Sequence, residues 1–290
     1  MHINMKYYIV TIGAIFIALG IGMLVGFNLN YDQELSKQQA VIIGDLDTKF
    51  EDLKNTNDTL EENLANITTE YDKVIEFINQ NIDKIIVNEL QEKNIGIISI
   101  NGNSDTTKGI EEIITKANGS IAFDIILNRS IYDESKFEEL STKLNLEIKN
   151  TQEIVNYVVE TLKDENASEK LANLQELGLI KVNTLNSSYI NYDSVILEGG
   201  NDSINGKEEF EKVEKVLISK LKEEKYLIGV QKSDAKFSYV ELYAKDKVTT
   251  IDNIDEGVGK LSLVTSLKES ISAQNFGRLE SANSLLPYKK

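Results

Sequence analysis

From Tyr7 to Leu29 the chain carries no charged residue. These 23 residues would extend about 34 Å as a helix, enough to cross a hydrocarbon core of about 30 Å. Lys6 precedes the stretch, and Asp32 and Glu34 follow it. A secretory signal would have a shorter apolar run closed by a small-x-small cleavage site. The segment Gly26–Asn30 offers none, so a retained single-pass anchor over residues 1–31 is expected. Ala14, Ala18, Gly22 and Gly26 recur every fourth position. They share one helix face and would let a second helix backbone approach closely, although such residues are also common in any membrane helix. Tyr7, Tyr8 and Phe27 suit the two interfaces.

A second pattern begins a few residues later. Ile43, Phe50, Asn57, Leu64, Tyr71 and Ile78 stand seven apart, and Leu46, Leu53, Leu60, Ile67 and Val74 fall between them. This 3–4 spacing over five heptads predicts a coiled coil, assigned to residues 32–93. Asn57 is the lone polar seam residue. In a parallel two-stranded coil it would pair with its twin and fix register. A shared membrane anchor also forces two chains to run parallel, so a parallel homodimer is expected. Lys49 would face Lys54 of a partner, a mild repulsion. Near the end, Ile75, Phe77, Ile82 and Ile86 widen the apolar stripe beyond a two-helix seam. The helix end is therefore expected to pack onto the globular domain. From Ile43 to Ile85 the helix would extend about 64 Å.

Residues 94–290 alternate short β-rich runs with amphipathic helices. Strands are predicted at Ile95–Ile100, Ile121–Leu127, Ser194–Leu197, Tyr226–Val230 and Val248–Ile251. Helices are predicted at Lys108–Ala117, Lys136–Leu144, Gln152–Leu162, Glu169–Leu177, Lys207–Glu223 and Lys260–Ala273, with Gly119 and Gly178 where C-caps belong. The alternation implies an α/β domain with a mostly parallel sheet in Rossmann-like layers. Two loops lie where such sheets bind ligands: Asn101-Gly102-Asn103-Ser104 and Glu198-Gly199-Gly200-Asn201-Asp202-Ser203. Neither matches a phosphate-binding signature, and turn formation is the simpler account of both.

Composition narrows the chemistry. Among 290 residues, 31 basic side chains face 47 acidic ones, a net charge of −16. Such a chain would be repelled by phosphate backbones, so no nucleic-acid partner is expected. There is no Cys, and the one His is His2, which removes thiolate and imidazole catalysis from the folded part. No motif places a base beside a Ser, Lys or Asp nucleophile. The chain is thus not expected to be an enzyme, and no cofactor is expected. Lys6 and the N-terminal amine favour an inside N-terminus, with Lys37 close on the far side. The anchor is expected in the cell membrane with the bulk of the chain extracytoplasmic.

The run Met5-Lys6-Tyr7-Tyr8-Ile9-Val10-Thr11-Ile12 leads into Phe16-Ile17-Ala18-Leu19-Gly20-Ile21-Gly22-Met23-Leu24-Val25-Gly26. This resembles the start of the MctB-like family of copper transport proteins, which pass from a helix of that kind into a coiled coil. Thr250–Asp255, Gly257–Val264 and the closing Leu285-Leu286-Pro287 are similar to the same family's tail. The resemblance implies a membrane-anchored envelope protein with a role in copper export or tolerance. A SteB-like branch of the family implies instead control of cell-wall hydrolysis during division, and hence an envelope protein partner. The residues themselves supply few copper ligands. Cu(I) prefers thiolate and thioether sulfur, and the methionines are Met1, Met5 and Met23, all in or beside the anchor. No metal ligand set is expected beyond it.

Overall fold

The structure, a computed structural model, describes residues 5–100, 104–164, 166–186, 191–200 and 206–288. Helix α1 spans Met5–Ile85. The chain divides into two units, residues 1–71 and 72–290. The first is helix alone, and its described side chains are exposed.

The second unit is α/β. Strands β1 (Asn94–Ile100), β2 (Ser120–Leu127), β3 (Ile180–Leu185), β4 (Ser194–Glu198), β5 (Tyr226–Val230), β6 (Thr249–Ile251) and β7 (Asn275–Phe276) form one sheet. Their order is β3-β2-β1-β4-β5-β6-β7. Every neighbouring pair is parallel except β2 and β3. The mostly parallel α/β layering expected from the sequence is therefore present. The apolar runs make sense of it: a strand covered on both faces has no polar side to show. Ile97 and Ile196 pack on one face, while Ile98, Val195 and Leu197 pack on the other.

Helices cover both faces. Under the first lie α2 (Ser104–Lys116), α9 (Gly257–Glu269) and the end of α1. Under the second lie α3 (Ser135–Leu144), α4 (Thr151–Thr161), α5 (Ala167–Glu176), α6 (Gly206–Lys212), α7 (Glu214–Leu221) and α8 (Val240–Lys245). The sequence pattern runs α6 and α7 together. Val213 stands between them at φ −123°, ψ −68°, outside helical geometry. The pattern also passes over β3, β7 and α8. Gly178 closes α5 with φ +66°, as a C-cap glycine does. After α2 it is Asn118, φ +63°, that takes the left-handed position, and Gly119 comes next.

The compact unit starts at Asp72, earlier than the boundary at residue 94 read from the sequence. Ile75, Ile78, Ile82, Ile86 and Leu90 are all buried. Ile82, Ile86 and Leu90 join Ile110, Ile114, Leu263 and Leu267 in the core of the first face. Burial of each such side chain contributes roughly 1.5–3 kcal/mol. Lys116 reaches Asp83 at 2.8 Å and Lys268 reaches Glu89 at 2.6 Å. Phe77, expected on the same stripe, is instead exposed.

Candidate functional site

The chain leaves β1 toward β2 and returns in β4 on the opposite side of β1. That reversal marks the crevice where open α/β sheets bind ligands, beyond the carboxyl ends of the two strands. Ser99 ends its buried run on β1, and Glu198 ends β4 in register with it. Thr107 comes from the first turn of α2. Ser99 Oγ donates to Glu198 Oε2 at 2.7 Å, and Thr107 Oγ1 donates to the same oxygen at 2.9 Å. All three side chains are buried. Burial pushes the Glu198 carboxyl up, while the hydroxyls of Ser99, Thr107 and Thr106 pull it back. A helix start of this kind is a ready anion site. Here a carboxylate of the chain itself takes a hydroxyl from the helix's first turn and one from β1.

The two glycines after Glu198 have structural work. A Cβ on Gly199 would sit 2.5 Å from the Tyr243 hydroxyl and 2.7 Å from Tyr239 Cδ2. Gly200 holds φ +76°. Of the two loops named from the sequence, residues 101–103 and 201–203 lie outside the described residues. Asp124 is buried on β2, on the face that carries Ser99. Its Oδ2 accepts from Asn183 Nδ2 at 2.8 Å. Burial drives its carboxyl up to about 6, against that hydrogen bond, and Glu111 and Glu198 push the same way. Among the described residues no group of three His, Cys, Asp or Glu is arranged to hold a metal ion.

A third buried carboxylate opens α7. Glu214 is fully buried, and neither oxygen accepts a hydrogen bond from another residue. Burial raises it to about 8, and Glu209 adds to the rise. The hydroxyls of Tyr132 and Tyr243 are also buried without partners. Burial and the Glu214 charge push both phenols up. Local pattern could not have found these groups. Glu214 reads as one more acid on an amphipathic helix, and only the packing shows that it points inward.

The tail residues that carry the family resemblance form a joint. Thr250 Oγ1 donates to Asn275 Oδ1 at 2.8 Å. Asp252 accepts from the backbone N–H groups of Arg278 and Leu279 at 2.8 and 2.9 Å. Asp255 accepts from the N–H and hydroxyl of Ser233. Arg278 Nε reaches both oxygens of Glu256 at 2.9 Å. The Gly257 N–H donates to Asn79 Oδ1 on α1 at 2.9 Å, and a Cβ there would stand 2.8 Å from Asn79 Cα. At Gly259 a Cβ would fall 2.0 Å from the Asn253 carbonyl oxygen. These contacts seat β6, α9 and the C-terminal segment, and Gly257 ties the start of α9 to α1.

On α1 the residues assigned to a seam divide. Ile43, Leu46, Phe50, Leu53, Leu60, Leu64, Ile67, Tyr71 and Val74 are 44–73% exposed. Asn57 is exposed too, and its Nδ2 donates to Glu61 Oε1 one turn on at 3.1 Å. Ile78 is 8% exposed, one residue before Asn79 meets Gly257, and so belongs to the α/β unit. Met5–Asn28 is the one stretch among the described residues long and apolar enough to cross a membrane. Ala14, Ala18, Gly22 and Gly26 lie within it, exposed, and nothing stands within 4 Å of a Cβ built on Gly22 or Gly26. Met1 and His2 lie outside the described residues.

The family described as copper transport outer membrane protein, MctB, is matched over residues 2–287. No curated protein matches the chain.

Proposed function

We propose, on the premise that the chain belongs to the MctB family, that it is a non-enzymatic envelope protein acting in copper homeostasis or export. It is held in the membrane by the Met5–Asn28 segment, with its α/β unit outside the cytoplasm, and works as a parallel homodimer. The copper link comes from the family's name. The mode of action rests on one observation: a single helix carries both an apolar span and a long row of exposed heptad side chains. Nine large apolar side chains at that exposure leave on the order of 1,000 Å² per chain, against the roughly 800 Å² per partner of a stable interface.

The donor set does not fit a copper site in the α/β unit. Soft Cu(I) takes thiolate and thioether ligands, and imidazole suits Cu(II). After Met23 the sequence has no Cys, His or Met. One oxygen of Glu198 is taken by Ser99 and Thr107, and one oxygen of Asp124 by Asn183. Residues 32–290 should therefore compete for Cu(I) against a chromogenic chelator no better than an unstructured acidic chain. Sub-micromolar competition would overturn that. The chain's part in copper handling is then to assemble or position other components. This favours a second reading for the same architecture, a dimeric scaffold that regulates cell-wall hydrolysis and division through an envelope partner. A deletion strain separates the two. Raised copper sensitivity supports the copper role, and altered division or lysis with normal copper tolerance supports the scaffold.

A further inference from the structure

The last turns of α1, all within the α/β unit, carry two apolar strips. Ile75, Ile78, Ile82 and Ile86 form the buried one. It is fixed by the Lys116–Asp83 and Lys268–Glu89 pairs and by the Gly257 N–H on Asn79. Val74, Phe77 and Ile85 form the other, 36–61% exposed. At 3.6 residues per turn the two strips are centred about 100° apart around the helix. The helix therefore packs on its own domain with one flank and shows a second apolar flank to solvent.

Strict heptad spacing would place Ile78, Asn81 and Ile85 in the seam. Ile78 is already covered. We infer that the interface with a second copy continues past Val74 by turning onto Phe77, Asn81 and Ile85, beside the α/β unit. This rests on the parallel dimer proposed above and extends it. The spacing 74, 77, 81, 85 runs 3, 4, 4 and covers eleven residues in three turns. An eleven-residue repeat relaxes the left-handed supercoil of a heptad seam, as a helix must where its inward strip is taken by its own domain. A second copy is the occupant the strip fits. With Asn57 opposite its twin, two parallel chains bring Val74, Phe77 and Ile85 level with themselves in phase. Two facing Phe77 rings then add an aromatic pair to the apolar contact.

The absence of Cys makes the test direct. Single-cysteine variants of the full chain in membrane vesicles are treated with a short bis-maleimide. Leu60→Cys reads the heptad seam, Phe77→Cys reads the extension, and Glu76→Cys reads the opposite, exposed face. Phe77→Cys is expected to give covalent dimer at a yield near that of Leu60→Cys and roughly tenfold above Glu76→Cys. Dimer from Leu60→Cys with Phe77→Cys no better than Glu76→Cys overturns the extension and leaves the dimer standing. No dimer from either overturns both. A Phe77→Cys product whose mass is not twice the 32.6 kDa chain overturns the second copy as occupant. Phe77→Asp gives an independent reading. Because the side chain is exposed, it should weaken dimerisation roughly tenfold while the α/β unit unfolds at the wild-type temperature. Unchanged dimerisation contradicts the inference.

Discussion

Glu214 is a fully buried carboxyl, and its surroundings decide which form it takes. Its folded carboxyl is raised to about 8 from an ordinary 4.5. The folded state therefore holds the proton more tightly than the unfolded chain. Its contribution to stability is greatest where both are protonated, below about pH 4.5, and falls as pH rises through the window to about 8. Glu214→Gln keeps the shape and removes the charge. It should stabilise the chain by roughly 2–4 kcal/mol at pH 7.5 and by almost nothing at pH 4. Thermal unfolding of both proteins in detergent at the two pH values reads this, and a gain equal at both would contradict it. Burial raises Glu198 in the same direction, but two hydroxyls attend one of its oxygens and oppose the rise. Little of this was legible beforehand. Glu198 could be seen at a strand end before a glycine pair. Its partner Ser99 stands 99 residues away, and that pairing exists only once β1 and β4 lie side by side.

Elements were more readable where their apolar residues were dense. Most of the five strands found from the sequence, β1, β4 and β5 above all, are buried on both faces and rich in Ile, Val and Leu, while β6 reads Thr249-Thr250-Ile251. β3 escaped because it is an edge strand. Its Ile180, Val182 and Leu185 alternate with Lys181 and Asn183, and much of it faces solvent. α8 is six residues long, too short for a periodic signal. α9 is held by contact, and its weak point is Gly259. Gly259→Ala would drive a methyl group into the Asn253 carbonyl. The expected loss is roughly 1–3 kcal/mol or more, seen as a lower unfolding temperature, and an unchanged temperature would show that the loop gives way freely. The exposed row on α1 has its own test at this scale. Leu60→Asp puts a charge into the seam of both chains and should dissociate residues 32–290 in analytical ultracentrifugation. Asn57→Leu should tighten association while loosening register or strand number. A wild-type fragment that stays monomeric at tens of micromolar would remove the basis for the seam.

At the scale of the molecule, charge and apolar surface divide the labour. The net charge of −16 keeps copies apart at a distance, within a Debye length of about 8 Å at physiological salt. The proposed association would therefore draw on the apolar row on α1. Orientation is the expectation this scale tests. Protease added to intact spheroplasts should digest the α/β unit if it lies outside the cytoplasm. Digestion only after lysis would reverse the topology.

The position of the cut would matter as much as its side. The final turns of α1 and the segment after it are a wall of the α/β core, with Ile82, Ile86 and Leu90 locked among Ile110, Ile114 and Leu263. Scission ahead of Asp72 would leave the compact α/β unit whole. A nick between Asp72 and Asn94 would tear out that wall and leave a sticky remnant bound for aggregation. Stalk and body are consequently not interchangeable parts. Any recombination that transplants the α/β unit to another tether must carry the helix from Asp72 onward with it.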